Sequence, residues 1–75
     1  MSNLSEMAVG GRGRVVGVRG TEEVSVRLME MGLTPGVEVS VVGSAPLGDP
    51  LEIELRGYRL SVRRNEAALV EVTPA

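Results

Sequence analysis

A chain of 75 residues is long enough for one domain, residues 1–75, and too short to divide into two units with separate hydrophobic cores. Its eight arginines and ten acidic residues give a formal net charge of −2, which argues against a general nucleic-acid binder, and its one aromatic residue, Tyr58, leaves no stacking surface for single strands. The absence of cysteine and histidine excludes disulfides, thiolate or imidazole metal sites and Ser-His or Cys-His catalytic pairs, so the composition favours a protein that acts by contact.

The first half of the chain predicts a strand and then a helix. Branched aliphatic residues favour strands, and Arg12–Val18, which holds three of the thirteen valines, is the first predicted strand. Thr21 is a suitable helix N-cap, and two acidic residues follow it where the helix dipole favours negative charge. The apolar spacing beyond Thr21 predicts a helix over about residues 22–31.

The predicted helix has apolar side chains on two sides. Val24, Leu28 and Met31 fall at i, i+4 and i+7, which predicts the face that packs on the core. Val26 and Met29 project from roughly the opposite side. They form a candidate contact surface for a partner, unless the segment before the first strand folds over them.

Glycine and proline predict two shaped connections. Gly32 fits the left-handed position that ends many helices, and Pro35 and Gly36 occupy the second and third positions of a predicted type II turn. The segment 45–50 (APLGDP) predicts a constrained loop between two strands. Four of its residues are predicted to shape it: Pro46, Gly48, Asp49 and Pro50. The Asp49 carboxylate either bonds the amides of its own loop or contacts a partner or a metal.

The second half of the chain alternates apolar and polar residues and predicts four more strands. They are residues 37–44, 51–55, 60–63 and 69–72. The dipeptide Gly57-Tyr58 predicts a two-residue hairpin turn, with Leu55 opposite Leu60. A short turn or helical step at residues 65–68 precedes the last strand.

Five short strands and one helix predict a mainly β fold. Closing the strands into a small barrel removes edges that an open sheet would leave unpaired. We therefore expect a five-stranded barrel with one helix inserted after the first strand, and about three loose residues at each end. The predicted inward-facing residues are Val16, Val18, Val37, Val39, Val41, Leu51, Ile53, Leu55, Leu60, Val62, Val70 and Val72.

Several segments resemble a known family. Residues 27–36 (RLMEMGLTPG) and 45–50 (APLGDP), followed by Gly57-Tyr58 and residues 60–63 (LSVR), are similar to the FeoA family of bacterial ferrous iron transport. The resemblance covers roughly residues 4–72. It implies an SH3-like barrel, the domain that also occurs at the C-terminus of iron-dependent repressors of the DtxR type. It further implies a cytoplasmic accessory protein that contacts the cytosolic, GTPase-bearing part of the FeoB membrane transporter.

The arginines near the predicted hairpin are a second candidate surface. Arg59 and Arg63, with Arg56 and Arg64, either pair with nearby glutamates or dock an acidic partner. Tyr58 at the hairpin tip is an exposed aromatic candidate. The residues predicted to bind a partner are therefore Val26, Met29, Tyr58, Arg59 and Arg63.

Two other functions stay open. The family is often described as binding transition metals, so an iron-sensing module is one of them. Only carboxylates such as Asp49, Glu52 and Glu54 are available as ligands, so we expect no cofactor and no dedicated metal site, although weak carboxylate binding of a divalent ion stays open. The other is a small nucleic-acid-binding barrel, which the arginine cluster alone supports.

Three further expectations concern activity, location and assembly. No phosphate-cradling GxxxxGK[ST] segment occurs in the sequence, so we expect no GTP turnover and no other enzyme activity. Neither a basic, apolar N-terminal signal nor an apolar run of about 20 residues is present, so we expect a cytoplasmic protein that meets the membrane only through the transporter. An oligomer formed through an open edge strand stays open.

Overall fold

The computed structural model describes residues 2–75, which form one antiparallel sheet of six strands, one nine-residue helix and two short helical turns. In chain order these are β1 (Ser2–Asn3), a 3₁₀ turn (Leu4–Glu6), β2 (Arg12–Val18), α1 (Glu22–Glu30), β3 (Glu38–Ser44), β4 (Leu51–Leu55), β5 (Tyr58–Val62), α2 (Arg64–Ala67) and β6 (Val70–Pro74). The mainly β fold with one helix after the Arg12–Val18 strand is confirmed. The predicted number of five strands is wrong by one.

The additional strand is β1, and it ties the start of the chain to its end. The sheet order is β1-β6-β2-β3-β4-β5, and Ser2 of β1 lies opposite Val72 of β6. Both ends were expected to be loose, but residues 2–3 and 73–74 lie in strands, and Met1 lies outside the described residues. Two polar residues carry no alternation of apolar and polar side chains, which is why the sequence did not predict β1.

Helix α1 begins and ends as its local signals predict. The Thr21 hydroxyl accepts a hydrogen bond from the Val24 amide at 3.3 Å, and the helix ends one residue earlier than predicted, with Met31 as its C-cap. Gly32 follows with a φ of +112°, and the Leu33 amide donates to the Leu28 carbonyl at 3.2 Å. With this hydrogen bond the chain folds back on the helix, so that Leu33 is buried over the last turn and adds to the side of α1 that faces the core.

The core lies between the curved sheet and α1. Its buried apolar side chains are Leu4, Val15, Leu28, Leu33, Val37, Val39, Val41, Leu51, Ile53, Leu55, Val62, Ala67, Val70 and Val72. Val16, predicted to point inward, is 41% exposed, and Val15 is buried in its place. The cause is a bulge between Val15 and Gly17, where β2 shifts register against β6 and the alternation of faces is interrupted.

The hairpin between β4 and β5 turns one residue earlier than predicted. Its two turn residues are Arg56 and Gly57, with φ of 50° and 82°, so that Leu55 lies opposite Tyr58 rather than Leu60. Positive φ at both positions is the signature of a type I′ turn, whose twist matches that of the two strands. The shift moves the pairing by two positions, so each side chain stays on its predicted face, and Ile53 meets Leu60.

Candidate partner-binding surfaces

The outer side of α1 presents one exposed aliphatic residue. Val26 is 42% exposed, whereas Met29 is half-buried. The N-terminal segment places Leu4 in the core and Met7 against it, and its 3₁₀ turn packs on β6 and α2. Val26 therefore stays accessible on the outer surface of α1.

The outer surface of α1 around Val26 is acidic. It is formed by Glu22, Glu23, Arg27 and Glu30, and Arg27 forms an ion pair with Glu66 of α2. Within residues 2–75, none of these three glutamates of α1 lies within ion-pair distance of an arginine. The surface thus combines an apolar centre with three carboxylates that are not ion-paired within the described residues.

Tyr58 joins the hairpin to the end of α1. Its hydroxyl donates a hydrogen bond to the Met31 carbonyl at 2.6 Å, and its side chain is 44% exposed. Gly32 lies directly beneath, where an added Cβ would fall inside contact distance of the Tyr58 hydroxyl and 3.0 Å from Leu55 Cδ1. The hydroxyl is therefore engaged inside the protein, while part of the ring faces solvent.

The connection after α1 is a tight turn around Pro35 and Gly36. The Val37 amide donates to the Thr34 carbonyl at 3.1 Å, and Gly36 has a φ of +93°. This is the geometry of the type II turn that the sequence predicts. The turn directs the chain from the helix into β3.

The arginines near the hairpin lie at two places rather than in one cluster. Arg59 pairs with Glu54 on the neighbouring strand at 3.9 Å, and Arg56 lies in the turn itself. Arg63 and Arg64 follow the other end of β5, about 17 Å from the turn at ~3.3 Å per strand residue. A single partner patch cannot include all four guanidinium groups without spanning the length of the strand.

Arg64 and Asp49 connect α2 to the loop of residues 45–50. The Arg64 amide donates to Asp49 Oδ1 at 3.0 Å, and the Arg64 guanidinium donates to the Gly48 carbonyl. Gly48 has a φ of +87°, and the Asp49–Pro50 peptide bond is cis. Asp49 thus bonds the backbone at the start of α2 rather than an amide of its own loop.

Leu47, at the tip of this loop, is an exposed apolar residue that the sequence analysis did not single out. It is 97% exposed, more than any other large apolar side chain in the described part of the chain. The signal that could have identified it is its place between Pro46 and Gly48. Two residues that favour turns put the intervening side chain at a loop tip, where little protein surrounds it.

The described residues hold neither a cluster of metal ligands nor a helix that could span a membrane. Residues 2–75 contain no group of three Asp or Glu side chains placed to hold one metal ion. Their longest helix has nine residues and cannot cross a bilayer.

The comparisons with known proteins decide the family. The sequence profile described as the FeoA domain matches residues 2–74. The chain belongs to the FeoA domain family. A curated relative of this FeoA domain, the Fe(2+) transport protein A/Fe(2+) transporter FeoB fusion protein of Porphyromonas gingivalis, is 39% identical over 69 residues; the match covers 92% of this chain and 8% of the fusion protein.

Solved FeoA proteins share the fold. The solution structure from Chlorobium tepidum is 42% identical with a TM-score of 0.87, over 96% of this chain and 69% of that one. The Stenotrophomonas maltophilia FeoA, crystallised with zinc and described as an SH3 domain protein, is 30% identical with a TM-score of 0.83, over 97% and 91% of the two chains. The SH3-like fold of this FeoA domain is therefore confirmed. IdeR from T. acidophilum, at 16% identity and a TM-score of 0.83 over 97% of this chain and 33% of its own, shares the fold alone.

Proposed function

We propose that this chain is a cytoplasmic accessory protein of bacterial ferrous iron uptake, and that it acts by binding the cytosolic, GTPase-bearing part of a FeoB transporter. It has no catalytic role of its own in this proposal. None of the relatives named above is named as an enzyme. The proposed partner is a protein, and the chain meets the membrane only through it.

One observation carries the proposal, namely the Porphyromonas gingivalis relative in which a region 39% identical to this chain belongs to the same polypeptide as FeoB. A covalent link holds two modules at high effective concentration, which favours modules that act on each other. The match covers 8% of that fusion protein, so the transporter itself lies outside the compared region. As a polypeptide separate from the transporter, this chain would have to bind the same partner through its own affinity.

The outer side of α1 is the first surface that we propose for this contact. The exposed Val26 and the half-buried Met29 supply its apolar part, and Glu22, Glu23 and Glu30 favour a partner segment that carries basic residues. Tyr58, Arg59 and Arg63, the other residues predicted to bind a partner, lie along β5 and its exit. Because Arg59 already pairs with Glu54, its charge is less available to a partner than that of Arg63.

A titration of this chain against full-length FeoB from the same organism tests the proposal. Binding and GTP hydrolysis are both measured, with and without a GTP analogue. We expect binding that depends on the nucleotide state, and a change in the rate of hydrolysis when the chain is bound. No binding to the full-length transporter in any nucleotide state would contradict the proposal.

Paired substitutions locate the surface. Val26→Asp is expected to abolish binding and to leave the fold intact, because Val26 is 42% exposed. Val9→Asp is the matched control, since Val9 is 63% exposed and lies in a turn where aspartate is tolerated. Equal loss of binding in both variants would show a general effect of added negative charge and would contradict the role of α1.

A further inference from the structure

Leu47 is held away from the protein rather than packed on it. At 97% exposure it differs from Val9, the next most exposed large apolar side chain at 63%. Single exposed apolar residues are common on protein surfaces and need no function when their loop is free to fold back. What sets Leu47 apart is that its loop is fixed.

Backbone and side-chain hydrogen bonds fix the loop on both sides of Leu47. The Ala45 amide donates to the Pro50 carbonyl at 3.0 Å, and the Gly48 amide donates to the Ala45 carbonyl at 2.7 Å. The Arg64 guanidinium donates to the Gly48 carbonyl and, through Nη1, to the Ser5 carbonyl at 3.1 Å. The backbone on both sides of the leucine is thereby fixed, and binding would cost little loop entropy.

Two arginines adjoin the loop of Leu47. Arg63 and Arg64 follow β5, whose last residue, Val62, lies opposite Leu51 at the end of the loop. Within residues 2–75 neither guanidinium lies within ion-pair distance of a carboxylate. Guanidinium groups without such a partner favour a binding surface that is rimmed by carboxylates.

We propose that Leu47 is a preformed anchor that inserts into an apolar pocket, rimmed by acidic residues, on the cytosolic side of the partner transporter. This inference rests on the function proposed above. It adds a contact at the end of the molecule formed by the loop and α2. An exposed aliphatic side chain on a loop held by hydrogen bonds suits a desolvated pocket, the usual setting of a residue that dominates an interface.

Three variants test the anchor in the same titration against full-length FeoB in nanodiscs. Leu47→Ala removes the apolar end of the side chain, whereas Leu47→Met keeps an apolar side chain of similar size. Val9→Ala truncates an exposed apolar residue elsewhere. Leu47→Ala removes contacts that the leucine side chain makes only in the complex. We therefore expect it to weaken binding about ten- to a hundredfold. We expect Leu47→Met and Val9→Ala to bind within about threefold of the wild type, and all three variants to melt at the wild-type temperature.

The outcomes separate this inference from the proposed function. Absence of binding by the wild-type chain would refute the proposed function and the anchor with it. Wild-type binding that Leu47→Ala leaves unchanged would refute the anchor alone. Binding to empty nanodiscs made of anionic lipid, if Leu47→Ala abolishes it, would show that Leu47 contacts a lipid surface instead of a protein pocket and would also overturn the inference.

Discussion

Among the glycines of this chain, Gly32 is the position at which an added methyl group is expected to lower the stability most. Gly32→Ala places a Cβ on a residue with a φ of +112°, which costs a residue with a side chain about 1–2 kcal/mol. The same Cβ would meet the Tyr58 hydroxyl and lie 3.0 Å from Leu55 Cδ1, and overpacking of this kind costs a further ~1–3 kcal/mol. The total of about 2–5 kcal/mol is a large part of the roughly 4–11 kcal/mol expected for a domain of this length.

Two other glycines separate the contributions of strain and contact. Gly36 has a φ of +93° with nothing within 4 Å of an added Cβ, so Gly36→Ala is expected to cost only the strain, about 1–2 kcal/mol. Gly43 has open space and no positive φ, so Gly43→Ala is expected to change stability by less than ~0.5 kcal/mol. Urea unfolding followed by circular dichroism gives the free energy of unfolding of each variant.

A double-mutant cycle with Tyr58→Phe tests the contact itself. Alone, this substitution loses the hydrogen bond to the Met31 carbonyl and is expected to cost about 0.5–1.5 kcal/mol. In the Gly32→Ala background, Tyr58→Phe also removes the oxygen that the new methyl group would meet. The double variant is therefore expected to lose less free energy of unfolding than the two single variants added together, by at least ~1 kcal/mol. Strict additivity, or a Gly32→Ala variant as stable as Gly36→Ala, would refute the argument.

Three more substitutions test the stability of other parts of the fold. Arg56→Asn is expected to stabilise the protein by about 0.5–1 kcal/mol in urea unfolding, because Arg56 has a φ of 50° in the type I′ turn and asparagine adopts that conformation more readily. Leu28→Ala removes a fully buried side chain and is expected to cost about 2–5 kcal/mol, read as a lower urea midpoint with an unchanged slope. Asp49→Ala leaves the Arg64 amide without its acceptor, so we expect a loss of about 1 kcal/mol and faster hydrogen exchange at that amide.

The elements that the sequence predicted correctly depend on neighbouring residues. Thr21 as N-cap, Gly32 at the helix end and the turn at Pro35-Gly36 each need a conformation that few residue types adopt well, so the residue types themselves indicate the structure. The apolar spacing in the helix likewise repeats over a few turns. These local signals determined α1 to within one residue.

The errors arise where distant residues decide between local alternatives. Gly57 suits both a turn at Gly57-Tyr58 and a turn at Arg56-Gly57, and both keep every side chain on the same face. The observed register places Tyr58 beside the end of α1, where its hydroxyl reaches a carbonyl 27 residues earlier in the chain. Gly17 in β2 indicates a bulge or a sharp bend, but the pairing with β6, more than 50 residues away, determines that Val16 is the side chain turned outward.

The same long-range contacts change which predicted residues are available to a partner. A polar side chain that already donates to a carbonyl or pairs with a carboxylate gains little by exchanging that contact for another, because the first must be broken. Tyr58 and Arg59 are engaged in this way, whereas in residues 2–75 no carboxylate lies within ion-pair distance of Arg63, and the apolar Val26 has no such contact to break. Binding by this FeoA domain should therefore be sensitive to exposed aliphatic residues and to Arg63, and less sensitive to the loss of the Tyr58 hydroxyl.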